Sequence, residues 1–194
     1  MLEPNIREQI IELIHRQVVP AVGCTEPMAV ALCAARATEL LGEKPEKVSV
    51  LLSANILKNA MGVGIPGTGM IGLPIAIALG VLIGKSDYRL EVIKDLTPES
   101  LEAGKRFIGE DRIDIKLKEG ITEKLYIEVA CVAGGHRATA VISGSHTNIV
   151  FEETDGKVLL DRLKPSAAAA DTAQLCLDLR TVWKFATTTP VEEI

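Results

Sequence analysis

The chain has 194 residues, of which 47% are apolar and 24% charged, and its 21 Lys+Arg stand against 26 Asp+Glu for a formal net charge of −5. That is enough apolar material for a sizeable core. There is no basic excess to neutralise phosphates, and only 3% of residues are aromatic, too few to stack bases, which argues against nucleic acid as a partner. The opening "MLEPNIREQI" lacks the charged-then-apolar order of a secretory signal, so the expectation is a soluble, cytoplasmic protein.

In chain order, residues 4–19 set Ile6, Ile10, Ile11, Leu13, Ile14 and Val18 at helical spacing between Pro4, suited to a first turn, and Pro20, a stop. A second helix is predicted from Thr25 as its cap, with Glu26 and Pro27 in the first turn, through an alanine-rich run to Leu41 and Gly42. "KVSVLLS" (47–53) reads as a buried strand. "YRLEVI" (88–93), "IDIKLK" (113–118), "KLYIEVACVA" (124–133), "HRATAVIS" (136–143) and "NIVFEE" (148–153) follow the same pattern, which makes six strands. Gly134-Gly135 and Asp155-Gly156 are hairpin turns, the second leading into "KVLLD". Helical patterns occupy about 70–84, 98–109 and 167–186. The run "MIGLPIAIALGVLIG" at 70–84 falls short of the roughly 20 apolar residues that span a bilayer, so a buried core helix is expected and no membrane partner. The order of elements predicts an α+β fold: a mixed, largely antiparallel sheet with hairpins, packed by helices and preceded by an N-terminal helical pair. "TTTPVEEI" closes the chain like the opening turn of a further helix, a pattern that a frayed terminus and an interrupted element share.

Cys24, Cys33, Cys131 and Cys176 are widely scattered, without the close spacing of a zinc ribbon or a bacterial ferredoxin. Cys33, Cys131 and Cys176 lie in apolar settings and read as core. Cys24 differs: it sits in the polar turn "VGCTEP" ahead of the second helix, where unpaired amides and the helix dipole are expected to lower a thiol pKa. Such a thiolate is a nucleophile or a metal ligand, against the plain alternative of a small buried residue.

A second constellation is "SANILKNAMGVGIPGTGMIGLP" (53–74). Its G-x-G-x-x-G at Gly62, Gly64 and Gly67 is not a dinucleotide fingerprint, because the glycines stand away from the strand end, Pro66 interrupts them, and Asp87 precedes the next predicted strand instead of ending it. A Walker A loop fails as well, since Gly67 and not lysine precedes Thr68. What remains is a glycine-rich loop able to hold a carboxylate with help from Asn55, Lys58 and Asn59, or else a tight connection packed on the following helix. The third is "SGSHTNIV" (143–150), where His146, Thr147 and Asn148 either bind a polar ligand or cap the turn locally. His15 and His136 read as surface residues.

Taken together and in this order, "VGCTEPMAVALCAA", "SANILKNAMGVGIPGTG" and "SHTNIV" resemble the L-cysteine desulfidase family, relatives of the iron–sulfur L-serine dehydratases. The likeness covers nearly the whole chain. The resemblance implies a cytosolic lyase, independent of pyridoxal phosphate, that eliminates sulfide from L-cysteine to leave ammonia and pyruvate. It also implies a [4Fe-4S] cluster on three cysteines, with Cys24 as the first ligand and the other two outside this chain, so that the cluster is expected to be absent from these 194 residues alone. Residues 1–194 are then an N-terminal domain truncated before an α-helical C-terminal region, in an assembly that allows a homodimer. Lys58 and His146 are the candidate bases. Ser53, Asn55, Asn59, Gly67, Thr68, Thr147 and Asn148 are the candidate contacts to an amino-acid substrate, and the glycine loop and the 143–148 turn are expected to share one cleft with Cys24. The alternatives are an L-serine dehydratase and a non-catalytic domain that binds a small anion or amino acid.

Overall fold

The computed structural model describes residues 2–163 and 177–194. The chain divides into two compact units, Ala21–Pro165 and the two terminal segments Met1–Pro20 with Ser166–Ile194. The terminal unit contains helices α1 (Pro4–Gln17) and α6 (Leu179–Thr188). Arg7 pairs with Glu193, and the His15 ring is 2.6 Å from the Ile194 carbonyl oxygen.

The larger unit is α+β. Its sheet has six strands in the order β4-β1-β5-β6-β7-β8, namely β1 (Lys47–Leu52), β4 (Ile113–Leu117), β5 (Tyr126–Ala133), β6 (His136–Ser143), β7 (Ile149–Thr154) and β8 (Lys157–Asp161). Only β1 and β4 pair in parallel; the other neighbours are antiparallel. The crossover between the parallel pair carries α3 (Ala54–Ala60), a two-stranded ladder of β2 (Gly64–Ile65) and β3 (Met70–Ile71), α4 (Leu73–Ile83) and α5 (Pro98–Gly109). Both hairpins turn as the sequence predicts. Gly134 and Gly135 have φ of 55° and 85°, and Asp155 and Gly156 of 50° and 78°, the pair of positive values that matches a turn to the twist of its strands.

Helix α2 (Thr25–Leu41) is the centre of the unit. It packs on β5, β6 and β7 and also against α4, so its alanines are buried around nearly the whole circumference. Small residues are what this requires. A Cβ on Gly80 of α4 would stand 2.4 Å from the Ala31 carbonyl oxygen, so glycine lets the two helices meet at backbone distance. Helix α4 is buried along Leu73–Val81, as expected of a core helix. Among the described residues no helix is long and apolar enough to cross a membrane.

Three expectations change. "YRLEVI" is not a strand. Ser86–Glu91 forms 3-10 turns with Arg89 at φ 51°, and Leu90, Val92 and Ile93 enter the core from this irregular segment; burial, not sheet pairing, explains their apolar character. "KVLLD" supplies the sixth strand instead. The cap of α2 is Cys24 itself (φ −67°, ψ 135°), with Thr25 already helical. The helix predicted from residue 70 begins at Leu73, because Met70 pairs with Ile65 in the small ladder. The helix predicted over 167–186 is described only for Leu179–Thr188, and Cys176 lies outside the described residues.

Candidate functional site

The direction of α2 fixes where Cys24 lies. The Cys33 thiol is 3.3 Å from the Ala140 carbonyl oxygen and 3.8 Å from that of Ile127, while Thr38 reaches Cys131, further along β5. Helix α2 therefore runs from the Tyr126 end of β5 toward its Ala133 end. Cys24, nine residues before Cys33 and about 13 Å up the helix axis, stands beyond the Tyr126 end. At that same end β1 finishes at Leu52, β6 finishes at Ser143 and β7 starts at Ile149, as the strand registers show. The beginnings of α2 and α3 and the 143–148 turn thus share one end of the sheet.

Cys24 is half-buried. Its thiol donates to the Glu26 carboxylate at 3.0 Å, the Thr25 hydroxyl donates to the same oxygen at 3.2 Å, and the Asn59 amide donates to the other Glu26 oxygen at 3.3 Å. The glycine loop closes in from another side. Gly23, at φ 83°, lies so near the Pro66 ring that a Cβ there would meet Pro66 Cγ at 2.7 Å. Loop 62–69 and Cys24 are neighbours, as expected.

The electrostatics reverse an expectation. The thiol pKa of Cys24 is raised, first by burial and then by the hydrogen bond to Glu26, whose negative charge adds to the effect. The backbone amides of Thr25 and Glu26 at the helix start do pull it down, but burial and then the adjacent carboxylate outweigh them. Glu26 is correspondingly held below the usual carboxylate range, chiefly by the bond it accepts from Cys24, with Asn59 and Thr25 assisting. Glu26 is the site residue that the sequence reading left without a role. The C-x-E spacing at a helix start, which folds the acid back over the cap, is the signal that marks it.

The other predicted residues divide. Asn59 joins the Cys24 cluster. Lys58, its neighbour on α3, is exposed and makes no hydrogen bond or ion pair among the described residues. Asn55, one helical turn before Asn59, lines an open cavity of about 480 Å³ beneath the loop from Lys118 to Lys124. Ser53 also borders that cavity, but its hydroxyl is engaged: it accepts from the Ile56 amide as the cap of α3 and donates to the Lys124 carbonyl oxygen at 2.8 Å. Thr68 is buried and spends its hydroxyl on Ile65 O and the Met70 amide, which shapes the β2–β3 turn. Gly67, at φ 76°, packs against Leu96 in the same turn. Asn148 donates to the Ser143 carbonyl oxygen at 2.9 Å and so closes its own turn, with Thr147 and His146 half-buried beside it. No hydrogen bond joins the 143–148 turn to the Cys24 cluster among the described residues, although the two share an end of the sheet.

Cys33 and Cys131 are sealed in the core, and burial pushes the Cys131 thiol up to about 11 and Cys33 higher still. Both are structural, as the sequence predicts. His136, exposed, binds Asp155 through Nδ1 at 2.7 Å.

No protein-family model matches the chain. It is similar to proteins named only UPF0597 protein: 65% identical over 188 residues to one from Bacteroides fragilis, 61% over 194 residues to one from Phocaeicola vulgatus, and 42% over 195 residues to one from Oleidesulfovibrio alaskensis. These matches cover 97–100% of the chain but only 44–45% of each relative, so the chain spans less than half the length of the curated relatives it matches.

Proposed function

We propose that this chain is part of an iron–sulfur lyase that removes the β-substituent of L-cysteine, with Cys24 as the one cluster ligand it contributes. The observation that supports this most is the setting of the three described cysteines. Cys24 alone among the described three is accessible, and it stands at a helix start where Glu26, Asn59 and a glycine loop converge; the start of α3, the helix that carries Asn59, borders an open cavity through Ser53 and Asn55.

The donor set fits a [4Fe-4S] cluster at a single position. Cys24 offers an accessible sulfur, Cys33 and Cys131 do not, and no group of three or more His, Cys, Asp or Glu is placed to hold a metal ion among the described residues. On this reading the remaining ligands are supplied from outside the described residues. A bound cluster with an open iron position supplies a Lewis acid for the leaving sulfur or the carboxylate. This chain's own residues do the rest. Lys58 and the Asn55 amide meet the substrate carboxylate as it leaves water, with charge-assisted hydrogen bonds offsetting its desolvation. Asn59 holds Glu26, and Glu26 fixes the Cys24 rotamer. A base removes the α-proton, the C–H electron pair forms the Cα–Cβ double bond, and the sulfur leaves from Cβ as hydrosulfide; His146 is one candidate for that base, and Lys58 is the other in its neutral form, with the carboxylate then left to Asn55.

One observation favours a second reading. The Cys24 thiol donates a hydrogen bond to Glu26, an arrangement that suits a protonated cysteine in a small-ligand-binding domain without a cluster. Iron content separates the two. The lyase reading expects the intact protein, purified without oxygen, to carry iron and to release sulfide from L-cysteine, and Cys24→Ser to lose both. Ammonia and pyruvate from L-serine without sulfide from L-cysteine makes it a serine dehydratase. Iron-free protein that binds amino acids without turnover supports the binding domain.

A further inference from the structure

Helix α6 carries an apolar stripe that no other described residue of its own unit covers. Leu179, Val182, Trp183 and Ala186 recur at i, i+3, i+4 and i+7, the spacing of one helix face. All four are exposed: Leu179 is 84%, Trp183 69% and Val182 46% accessible, while Phe185, about a quarter-turn away, is the buried residue of the helix. Trp183 is the single tryptophan of a chain with only 3% aromatic residues. A large aromatic left in water on such a stripe is the anchor pattern of an interface core, where tryptophan is enriched and its removal is costly. Arg180 and Lys184 flank the stripe on one side, which suits a partner with an acidic rim.

The relatives indicate what covers it. The match to each takes up less than half of that protein, so more than half of its polypeptide lies outside the part that this chain resembles. We propose that the Leu179–Val182–Trp183–Ala186 face of α6 is the docking surface for that further polypeptide, as an interdomain contact with an apolar core and a basic flank. The proposal stands apart from the lyase reading, since it invokes neither Cys24 nor catalysis.

The test is co-expression of the tagged 194-residue chain with the part of the Bacteroides fragilis protein that lies outside the match. The expected result is co-purification at one-to-one stoichiometry, with Leu179→Arg and Trp183→Glu each reducing retention about tenfold or more. Both substitutions sit on an exposed face, and far-UV circular dichroism matching that of the unaltered chain establishes that the variants remain folded. Ala186→Ser, at the edge of the stripe, keeps the fold where a charged variant does not, and is expected to weaken retention measurably. Failure of the two pieces to co-purify overturns the proposal, as does equal retention of the folded variants. It is also overturned if the chain alone sediments as a dimer that Trp183→Glu dissociates, for then the stripe meets a second copy.

Discussion

Replacing Gly80 by alanine tests the packing that aims Cys24. The new Cβ would lie 2.4 Å from the Ala31 carbonyl oxygen, 2.9 Å from its Cα and 3.0 Å from its carbonyl carbon. Non-bonded heavy atoms settle near 3.5–4.0 Å, and all three obstacles are backbone of the buried helix α2, so no side-chain rotation relieves them. The helices must part or shift along each other, and overpacking of this kind costs about 1–3 kcal/mol. A contact this short against fixed backbone belongs at the upper end, about 3 kcal/mol. Alanine returns about 1 kcal/mol of helix propensity, leaving a net loss of about 2 kcal/mol. For a unit of this size that lowers Tm by roughly 4–8 °C. Gly109, at the last position of α5, is the control: nothing lies within 4 Å of its added Cβ and its φ is not positive, so Gly109→Ala is expected to be neutral or to stabilise by up to about 1 kcal/mol. Urea and thermal melts of the two variants decide the matter. A Gly80→Ala protein as stable as the unaltered chain would refute backbone-distance packing of α2 on α4.

The chemistry of the thiols and the charged groups gives four more expectations. Iodoacetamide at pH 8 should label Cys24 in the folded chain while Cys33 and Cys131 react only on unfolding; labelling of all three at one rate would contradict their placement. Because burial and then Glu26 raise the Cys24 pKa, its alkylation should be slow for a helix-start cysteine, and Glu26→Gln should quicken it, a rate that mass spectrometry reads directly. His136 is raised by its bond to Asp155, so the pair stabilises the fold fully below the unfolded histidine value near 6.5 and loses that effect as pH rises through the folded value; Asp155→Asn should bring the His136 titration, followed by NMR, back down. Lys58→Met in the intact protein should lower kcat/KM for L-cysteine by roughly 30- to 150-fold, about 2–3 kcal/mol, with Tm and iron content unchanged, whereas a fall in Tm at constant kcat/KM would make the lysine structural.

The sequence was legible where one force dominates. The first-turn residues and alanine-rich run of α2, the apolar run of α4, the paired glycines before His136 and the Asp155-Gly156 turn each leave a local mark, and each element appears near where that mark points. It was misleading where tertiary burial imitates local structure. Leu90, Val92 and Ile93 have the composition of a strand because they are buried in the core, from a segment that packs against α2, and only the fold reveals that they pair with no strand. At the site, the likeness of Thr25 to a good cap hid Cys24 in that position. The dipole argument for a reactive thiol failed on burial first and on one rotamer second: the sulfur is half-buried, and Glu26, read as helpful charge in a first turn, turns back onto it. Asn59, expected as a substrate contact, instead donates to Glu26 from the short helix that follows β1, whereas Ser53 and Thr68, chosen from the same polar stretch, use their hydroxyls on the backbone around them.

The proposed role of Cys24 is tested most directly by iron. The intact protein is purified without oxygen as the unaltered form and as Cys24→Ser, and iron is measured in each beside sulfide release from L-cysteine. Lyase function with Cys24 as ligand requires iron and sulfide in the first and neither in the second, at matching Tm. Equal iron and equal sulfide in the two proteins would contradict it.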